Sequence, residues 1–295
     1  METSERKRIE IVPHFMRLHE WIALDEGYYE QEGLEPVMMA DVMHSVSSHA
    51  GDPYGSRPQD VPFVREANEV ANSACHWGSV CNAGAGMGKF VADLYGVGRF
   101  ALFVRPDSKI ERLHELRDVP VAVGLMAGSH FTTLGVLDQV LRKEQIKVEH
   151  TGGPGRRLLA LLDREVEVAM LLDPEIPIAE ANGLRKLAQG EFRTLFWVSR
   201  GLSRELLSAY FRTLRRAEEA LDETPERYMP LWERNIPPGL EGDHDWSTFG
   251  TGERLIFERY TDDMLDEAVR FADRFGLREN VREERYEELV TPVTV

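Results

Sequence analysis

The chain has 295 residues, of which 42 % are hydrophobic and 29 % carry a charge. A chain of this length and apolar content can bury a full core, so a largely disordered protein is excluded. The formal net charge of −16 disfavours nucleic acid and anionic membranes as partners, because both are negatively charged. A local site for an anionic small molecule remains compatible with that charge, since backbone N–H groups at helix N-termini bind anions.

The sequence favours a cytoplasmic location. The apolar segment 9–13 is too short for the apolar region of a signal peptide, and no stretch approaches the roughly 20 apolar residues of a membrane span. Cys75 and Cys81 are the two cysteines, too few for a disulfide framework. We therefore expect a reducing compartment and no membrane insertion.

Strand-like and helix-like segments alternate along the chain, a pattern typical of an α/β sheet with crossover helices. Strands are predicted over residues 8–12, 34–39, 71–77, 100–104, 119–124, 147–150, 166–172 and 194–199. Helices are predicted over residues 15–30, 64–70, 78–91, 107–116, 128–143, 156–163 and 177–183, and over most of the chain from 203 onward apart from the turn-rich 237–252. Residues 40–62, rich in Asp, Ser, Gly, Pro and His, predict either a lid over a site or a solvated insertion.

Three motifs follow one another in a specific order. ALDEGYYEQEGL at residues 23–34 resembles the opening motif of sulfonate-, nitrate- and thiamine-precursor-binding proteins. Residues 102–129 resemble that family's hinge strand, its Asp-Ser helix and its ligand-side Gly-Ser motif. ALLDREVEVA at residues 160–169 resembles a third family motif, with Arg164 in place of the usual glycine. The order and spacing of the motifs are more specific than any one of them alone.

The resemblance covers about residues 9–230 and implies a two-lobed, type II periplasmic-binding-protein-like α/β fold with a ligand cleft between the lobes. It implies one lobe over residues 101–194 and a second, discontinuous lobe over residues 1–100 and 195–295. The family includes transport components, and the same fold houses cytosolic decarboxylases and a sulfinate desulfinase. Fold resemblance alone does not choose among these activities.

Three reactive side chains fall near the expected cleft, because ligands of α/β sheets bind beyond the carboxyl ends of strands. His14 follows the first predicted strand and is a candidate acid or base, with capping of the first helix as the alternative. The resemblance places His14 where the family's desulfinase carries its catalytic cysteine. Cys75 is a candidate nucleophile, or otherwise a buried structural cysteine. His130 is a candidate proton donor.

The segment 128–133 follows a predicted strand and opens a helix, so its N–H groups, hydroxyls and helix dipole predict an oxyanion site. Simple capping of that helix is the alternative. The predicted anion contacts here are Gly128, Ser129 and Thr132.

Further ligand contacts are predicted on neighbouring segments. Trp77, expected on the same strand face as Cys75, offers an aromatic surface, and Ser79 offers an anion contact. Two acidic residues are predicted to bind a cationic or hydroxylated part of the ligand, or to cap the next helix; they are Asp173 and Glu175. Arg156 is predicted to pair with an acid group, or otherwise to form a surface ion pair.

Two other patterns are rejected as sites. Cys75, His76 and Cys81 do not make a four-ligand set, so no metal is predicted. The segment 84–89, GAGMGK, resembles a phosphate-binding loop, but Phe90 stands where Ser or Thr is required. We interpret its glycines as packing positions inside a helix.

Two functions are compatible with these residues. The favoured hypothesis is a cytosolic, cofactor-independent lyase or hydrolase of the decarboxylase or desulfinase type, acting on a small anionic acid that can be aromatic. The alternative is a solute-binding protein of an ABC uptake system, or a cytosolic sensor or carrier, and an ABC permease is a partner only under that alternative. A thiamine-pyrimidine synthase is disfavoured, because the cysteine-rich iron motif associated with such enzymes is absent from the sequence.

Overall fold

The computed structural model describes residues 6–40, 70–86, 88–199, 201–277 and 285–294. Within these residues the chain forms a mixed sheet of eleven strands with helices packed against it. The possible lid, apart from residue 40, and the predicted helix over 64–70, apart from its last residue, lie outside the described residues.

The described elements alternate as the sequence predicts. The strands are β1 (Lys7–Ile11), β2 (Leu34–Met38), β3 (Val70–Cys75), β4 (Lys89–Val91), β5 (Tyr95–Val104), β6 (Pro120–Val123), β7 (Lys147–His150), β8 (Val168–Leu172), β9 (Arg185–Val198), β10 (Arg254–Ile256) and β11 (Val290–Thr291). The α-helices are α1 (His19–Asp25), α2 (Tyr28–Gln31), α3 (His76–Gly84), α4 (Gly128–Leu137), α5 (Arg156–Leu162), α6 (Glu175–Ala181), α7 (Arg204–Glu223), α8 (Pro225–Tyr228), α9 (Asp262–Phe275) and α10 (Tyr286–Leu289). Short 3₁₀ turns cover Leu113–Leu116, Lys143–Gln145, Met229–Asn235 and Trp246–Thr248.

The main path of the sheet runs β2-β1-β3-β9-β5-β8-β6-β7. The two long central strands, β5 and β9, pair antiparallel from Gly96–Thr194 to Val104–Arg185. The segment between them supplies all three strands on one side, β6, β7 and β8. The predicted lobe boundaries at 100/101 and 194/195 fall within these two strands, and the division into lobes itself stays a prediction.

The core consists of apolar side chains on both faces of the sheet. Tyr210, Leu214, Leu221 and Tyr228, predicted to face the core, are all at most 4 % exposed. A second cluster packs Phe131 of α4 against β5, β6 and β8. Burial of one large apolar side chain stabilises the fold by about 1.5–3 kcal/mol. These clusters therefore stabilise the packing of the helices against the strands of the sheet.

One predicted boundary is wrong in a way that matters for the site. The strand predicted to run through Trp77 ends at Cys75, and α3 begins at His76. Because Cys75 caps that helix with its side chain, Trp77 projects from a helix and not from the strand face assigned to it.

The helix predicted over 78–91 is also wrong in its second half, which is a turn followed by β4. Gly86 and Gly88 have φ angles of 86° and 77°, values that favour glycine. A Cβ at Gly88 would lie 2.6 Å from the carbonyl oxygen of Val198. These glycines therefore end a helix against β9 and do not pack inside one.

Three further elements differ from prediction. The helix predicted over 107–116 is reduced to the 3₁₀ turn Leu113–Leu116. The first helix is interrupted at Gly27, where φ is 69°. β9 begins at Arg185, well before the predicted start at 194, because its polar first half pairs with β5.

Candidate functional site

His14 lies in the turn between β1 and α1. Its side chain is buried, and its Nδ1 lies 2.6 Å from Oε2 of Glu253. The pairing of β10 with β5 brings Glu253, the residue before β10, to this position. Both atoms are buried, and within the described residues neither has a hydrogen bond of regular geometry, the close contact between the two included. α1 is capped at Leu18, so His14 is not its cap.

Arg17 joins Glu253 to a second buried carboxylate. Its Nη1 donates to Oε1 of Glu253 and to Oγ of Ser73, at 3.0 Å each, and its Nε donates to Oε1 of Glu20 at 2.9 Å. Arg17, Glu20 and Glu253 are at most 1 % exposed. We call these three residues the buried charge cluster. Its charges are compensated inside the fold, as burial requires.

The carboxylate of Glu253 is ionised and held from several sides. Burial raises its pKa, but the nearby His14 and Arg17 and the hydrogen bonds oppose this, so the pKa lies well below its usual range. Oγ of Thr194 donates to Oε1 at 2.7 Å. A Cβ at Gly96 would overlap both Oε1 of Glu253 and Oγ of Thr194, so the close approach of β5 to the carboxylate requires a glycine.

A second candidate region is the start of α4, after β6. The hydroxyl of Ser129 accepts from the N–H of Gly124 at 2.9 Å, and the hydroxyl of Thr132 donates to the carbonyl of Gly128 at 2.7 Å. Within the described residues, the buried N–H groups of Gly128 and Ser129 have no acceptor. We call these two N–H groups the anion site. The hydroxyl hydrogen of Ser129 can also donate to a ligand, whereas that of Thr132 is used within the helix.

His130 is a neutral side chain at this end of α4. Its Nδ1 accepts from the N–H of Met126 at 3.2 Å. Burial lowers the pKa of His130 to about 4. Because Nδ1 is an acceptor in this contact, the neutral ring carries its hydrogen on Nε2.

Aromatic rings border the anion site. The ring of Trp77 stacks on Phe131 at 5.4 Å and on Phe192 at 6.4 Å, with interplanar angles of 10° and 9°. We call these three rings the aromatic wall. A Cβ at Gly128 would lie 3.1 Å from the ring of Phe192 and 3.4 Å from Cβ of Cys75, so the wall and the start of α4 are in contact.

Cys75 and Ser79 have structural contacts. Cys75 ends β3, is buried and carries a thiol whose sulfur accepts from the N–H of Gly78 at 3.4 Å. Ser79 is fully buried, and its hydroxyl lies 3.4 Å from the carbonyl oxygens of Ala74 and Leu195. Cys75 therefore lies beside the anion site through Gly128, while the hydroxyl of Ser79 is used within the fold.

Asp173 is buried and bound to a cation of the protein. Arg99 donates to its two carboxylate oxygens at 2.8 and 2.7 Å and to the carbonyl oxygen of Phe249 at 2.8 Å. Burial raises the pKa of Asp173 to about 6, against the opposing effect of Arg99. Asp173 thus ties β8 to β5 and to the segment before β10.

Glu175 and Arg156 also have partners within the protein. Glu175 is buried and accepts from Arg157 at 2.7 Å and from the N–H of Gly155 at 2.9 Å. Arg156 is half exposed and pairs with Glu165 on the surface. Arg156 thus forms the surface ion pair that was its alternative, and contact of either residue with a ligand stays a prediction.

Sequence reasoning missed Glu253, Arg17 and Phe192. Glu253 lies far along the chain from His14, between a glycine and a short strand, and no local pattern marks it. Arginine is mostly found on protein surfaces, so the sequence gives no reason to expect that Arg17 is buried. The described residues contain no group of three or more His, Cys, Asp or Glu side chains able to hold a metal ion, and none of their helices has the length and apolar character of a membrane span.

No family model and no curated protein matches this chain by sequence. Solved structures do match it. The alkanesulfonate-binding protein SsuA from Xanthomonas axonopodis pv. citri, bound to MOPS, has a TM-score of 0.68 at 15 % identity, covering 99 % of this chain and 100 % of that one. The desulfurization enzyme DSZB has a TM-score of 0.64 at 14 % identity, covering 97 % of each chain.

A Candida albicans gene product with the generic periplasmic-binding-protein fold has a TM-score of 0.68 at 11 % identity, covering 98 % of each chain. At these identities the likeness concerns the fold. The predicted α/β periplasmic-binding-protein-like fold and its resemblance to sulfonate-binding proteins and their enzyme relatives are thus confirmed.

Proposed function

We propose that this protein binds a small organic acid, with the acid group at the anion site and the apolar body against the aromatic wall. The observation that carries the proposal is that the N–H groups of the buried residues Gly128 and Ser129 have no acceptor in the described part of the chain. A buried polar group without a partner costs about 1–3 kcal/mol, so an anion that accepts from both N–H groups is favoured.

The surroundings favour a singly charged acid with an apolar or aromatic body. The donors nearby are backbone N–H groups and a neutral His130, while Arg17, Arg99 and Arg157 are bound to carboxylates of the protein. Sulfonates, sulfinates and carboxylates fit this description. Structural neighbours bind MOPS in one case and biphenyl-2-sulfinic acid in another, which supports the same ligand class.

Isothermal titration calorimetry with benzenesulfonate, methanesulfonate, biphenyl-2-sulfinate and neutral benzenesulfonamide tests this proposal. We expect the acids to bind and the sulfonamide to bind far more weakly, because it carries no charge for the helix terminus. Trp77→Leu should weaken benzenesulfonate binding by about tenfold, or about 1.4 kcal/mol, and leave methanesulfonate unchanged. Trp246→Leu, outside the aromatic wall, is the matched control. Failure of all three acids to bind would exclude the proposal.

Turnover of the bound acid is a second candidate function, favoured by the contact of His14 with a buried carboxylate. A histidine oriented by a carboxylate is a common general acid or base. The decarboxylase- or desulfinase-type activity and the cytoplasmic location expected from the sequence belong to this hypothesis. Solute binding for an uptake system needs only the anion site and the wall.

Mass spectrometry of the acids after incubation distinguishes the two functions. Loss of sulfite from biphenyl-2-sulfinate, catalysed by the wild type and not by His14→Asn, would establish turnover. His244→Asn is the control, because His244 bonds to the carbonyl of Leu240 and not to the buried charge cluster. Unchanged acids retained by the protein would instead favour a binding protein.

A further inference from the structure

The two carboxylate oxygens of Glu253 have different partners. Oε1 accepts from Arg17 and Thr194, at 3.0 and 2.7 Å, and Oε2 lies 2.6 Å from Nδ1 of His14. A carboxylate oxygen can only accept, so a ring nitrogen that faces it carries a hydrogen. In the neutral imidazole, the lone pair then belongs to Nε2.

We infer that Glu253 is a positioning residue that fixes His14 in its Nδ1–H tautomer and leaves Nε2 as the nitrogen that exchanges a proton with the ligand. Nε2 makes no hydrogen bond within the described residues and is not among their buried unpaired atoms. The exchange with a ligand rests on the proposed function, whereas the state of the ring does not.

The surroundings of Glu253 restrict the carboxylate to this role. Its charged and titratable neighbours are His14, Arg17 and, at longer range, Asp173, and Arg17 is itself bound to Glu20. Arg17 and Thr194 both donate hydrogen bonds, so the Oε1 position must be occupied by an acceptor. β5 packs against that oxygen at Gly96, which leaves the carboxylate little room to rotate.

The proton transfer balances with one water molecule beside the bound acid. An O–H bond of the water breaks as its oxygen attacks the acid group, the electron pair stays on that oxygen, and a new N–H bond forms on Nε2. The imidazolium that results lies against the anionic carboxylate of Glu253, which stabilises its positive charge. The reverse transfer returns the proton to the product.

His19 supplies an internal reference of the opposite kind. Its Nε2 contacts a carboxylate oxygen of Glu218, and its Nδ1 is buried without a hydrogen bond in the described part of the chain. By the same reasoning, a neutral His19 carries its hydrogen on Nε2. The two buried histidines should therefore show opposite tautomers in one spectrum.

Nuclear magnetic resonance of the full chain with ¹⁵N-labelled histidine tests the inference, using two-bond ¹⁵N–¹H correlations at a pH where the rings are neutral. We expect His14 as the Nδ1–H form in the wild type. In Glu253→Gln, Arg17 and Thr194 keep the amide oxygen, so the amide NH₂ faces His14 and donates to Nδ1. The tautomer of His14 should then invert to Nε2–H.

The matched control is Glu20→Gln, which removes a buried carboxylate from the same Arg17 without touching His14. It should leave the tautomer of His14 unchanged, and His19 should keep its signals in every folded variant. An Nε2–H form of His14 in the wild type overturns the inference without any variant. So does an unchanged His14 in a Glu253→Gln protein whose His19 signals are intact.

The ring is observed without ligand, so this result is independent of the calorimetry. Loss of benzenesulfonate binding would reject the proposed function and leave the tautomer assignment standing. If turnover is found, Glu253→Gln should lower kcat by about 10²–10⁴-fold with little change in KM, because the wrong nitrogen then holds the lone pair. An unchanged kcat would reject the positioning role.

Discussion

The turn after β1 and the start of α4 both contain buried polar residues, but the two regions differ in how their polar groups are paired. After β1, the charges of Arg17, Glu20 and Glu253 are paired with one another. At the start of α4, the groups are uncharged, and two backbone N–H groups have no acceptor within the described residues. Full charges cannot stay unpaired in the interior, whereas N–H groups can await a ligand at modest cost.

This difference favours separate roles for the two regions under the proposed function. The α4 side offers neutral donors, which can bind an anion without first releasing a partner. On the β1 side, Nδ1 of His14 lies 2.6 Å from the carboxylate of Glu253, and the proposed proton transfer rests on this contact. The proposed binding and the proposed proton transfer thus use separate parts of the chain.

Of the substitutions considered, removal of Arg17 should lower the stability of the protein most, because it removes the cation of the buried charge cluster. Arg17→Met leaves Glu20 and Glu253 buried without their cation, and we expect the free energy of unfolding to fall by about 3–5 kcal/mol. Urea denaturation at neutral pH measures it. Arg156→Met, at a half-exposed surface pair, should change stability by less than about 0.5 kcal/mol. Equal effects of the two substitutions would contradict the assignment.

Acidification should act on the α4 region through His130. His130 has a pKa of about 4 in the folded protein, because burial disfavours its charged form, whereas the usual pKa of a histidine is 6.5. The unfolded chain therefore binds a proton that the folded chain does not, and stability is lost as the pH falls from 6.5 to about 4. At 1.36 kcal/mol per pKa unit, the loss is at most about 3 kcal/mol.

His130→Asn should remove that loss, since the Asn oxygen can accept from Met126 but does not titrate. The measurement is the difference in unfolding free energy between variant and wild type from pH 7.5 to 4.5. Glu253 also stabilises the fold less in acid, but at lower pH. Its pKa is depressed in the folded protein, so its stabilisation is fully present above the usual pKa of a glutamate and is lost as the pH falls below that value. Parallel curves for wild type and His130→Asn would contradict the prediction.

A methyl group at Gly96 should disturb the charged region directly. Gly96→Ala places Cβ on Oε1 of Glu253 and Oγ of Thr194, and we expect a cost of about 1–3 kcal/mol in unfolding free energy. Gly135→Ala, inside α4 and 3.5 Å from Phe271, is the control. It should be neutral or stabilising by about 0.5–1 kcal/mol, because alanine favours a helix interior. A Gly96→Ala protein as stable as Gly135→Ala would show that the carboxylate can move.

The smallest effect is expected for a hydroxyl of the neutral region. Ser129→Ala leaves the N–H of Gly124 without its acceptor and should cost about 1 kcal/mol of stability. The affinity for benzenesulfonate, measured by calorimetry, should stay unchanged, because the N–H group of residue 129 is retained. A large loss of affinity would instead assign the hydroxyl to the ligand.

Much of the fold was predictable from the sequence. Apolar alternation predicted β1, β2 and β7 to within one residue at each end, and the motif order predicted the periplasmic-binding-protein-like fold. Gly128 and Ser129 were also predicted at a helix start, because a glycine-serine pair after an apolar strand is a local signal. Such elements depend on short-range spacing and turn residues, which the sequence displays directly.

Tertiary contacts decided the rest. The helix begins at His76 because Cys75 caps it, which moved Trp77 from a strand to the aromatic wall. The polar half of β9 became a strand through pairing with β5.

The sequence by itself determined the order of elements, the fold they imply and the start of α4 at Gly128, where the anion site stays a prediction. Only the tertiary structure decided that His14 meets Glu253, that Arg17 is buried, and that Asp173 and Glu175 are bound to arginines of the protein. The reason is physical: hydrophobic periodicity and turn chemistry act between near neighbours in sequence. The pairing of buried charges depends instead on which distant strands the sheet places side by side.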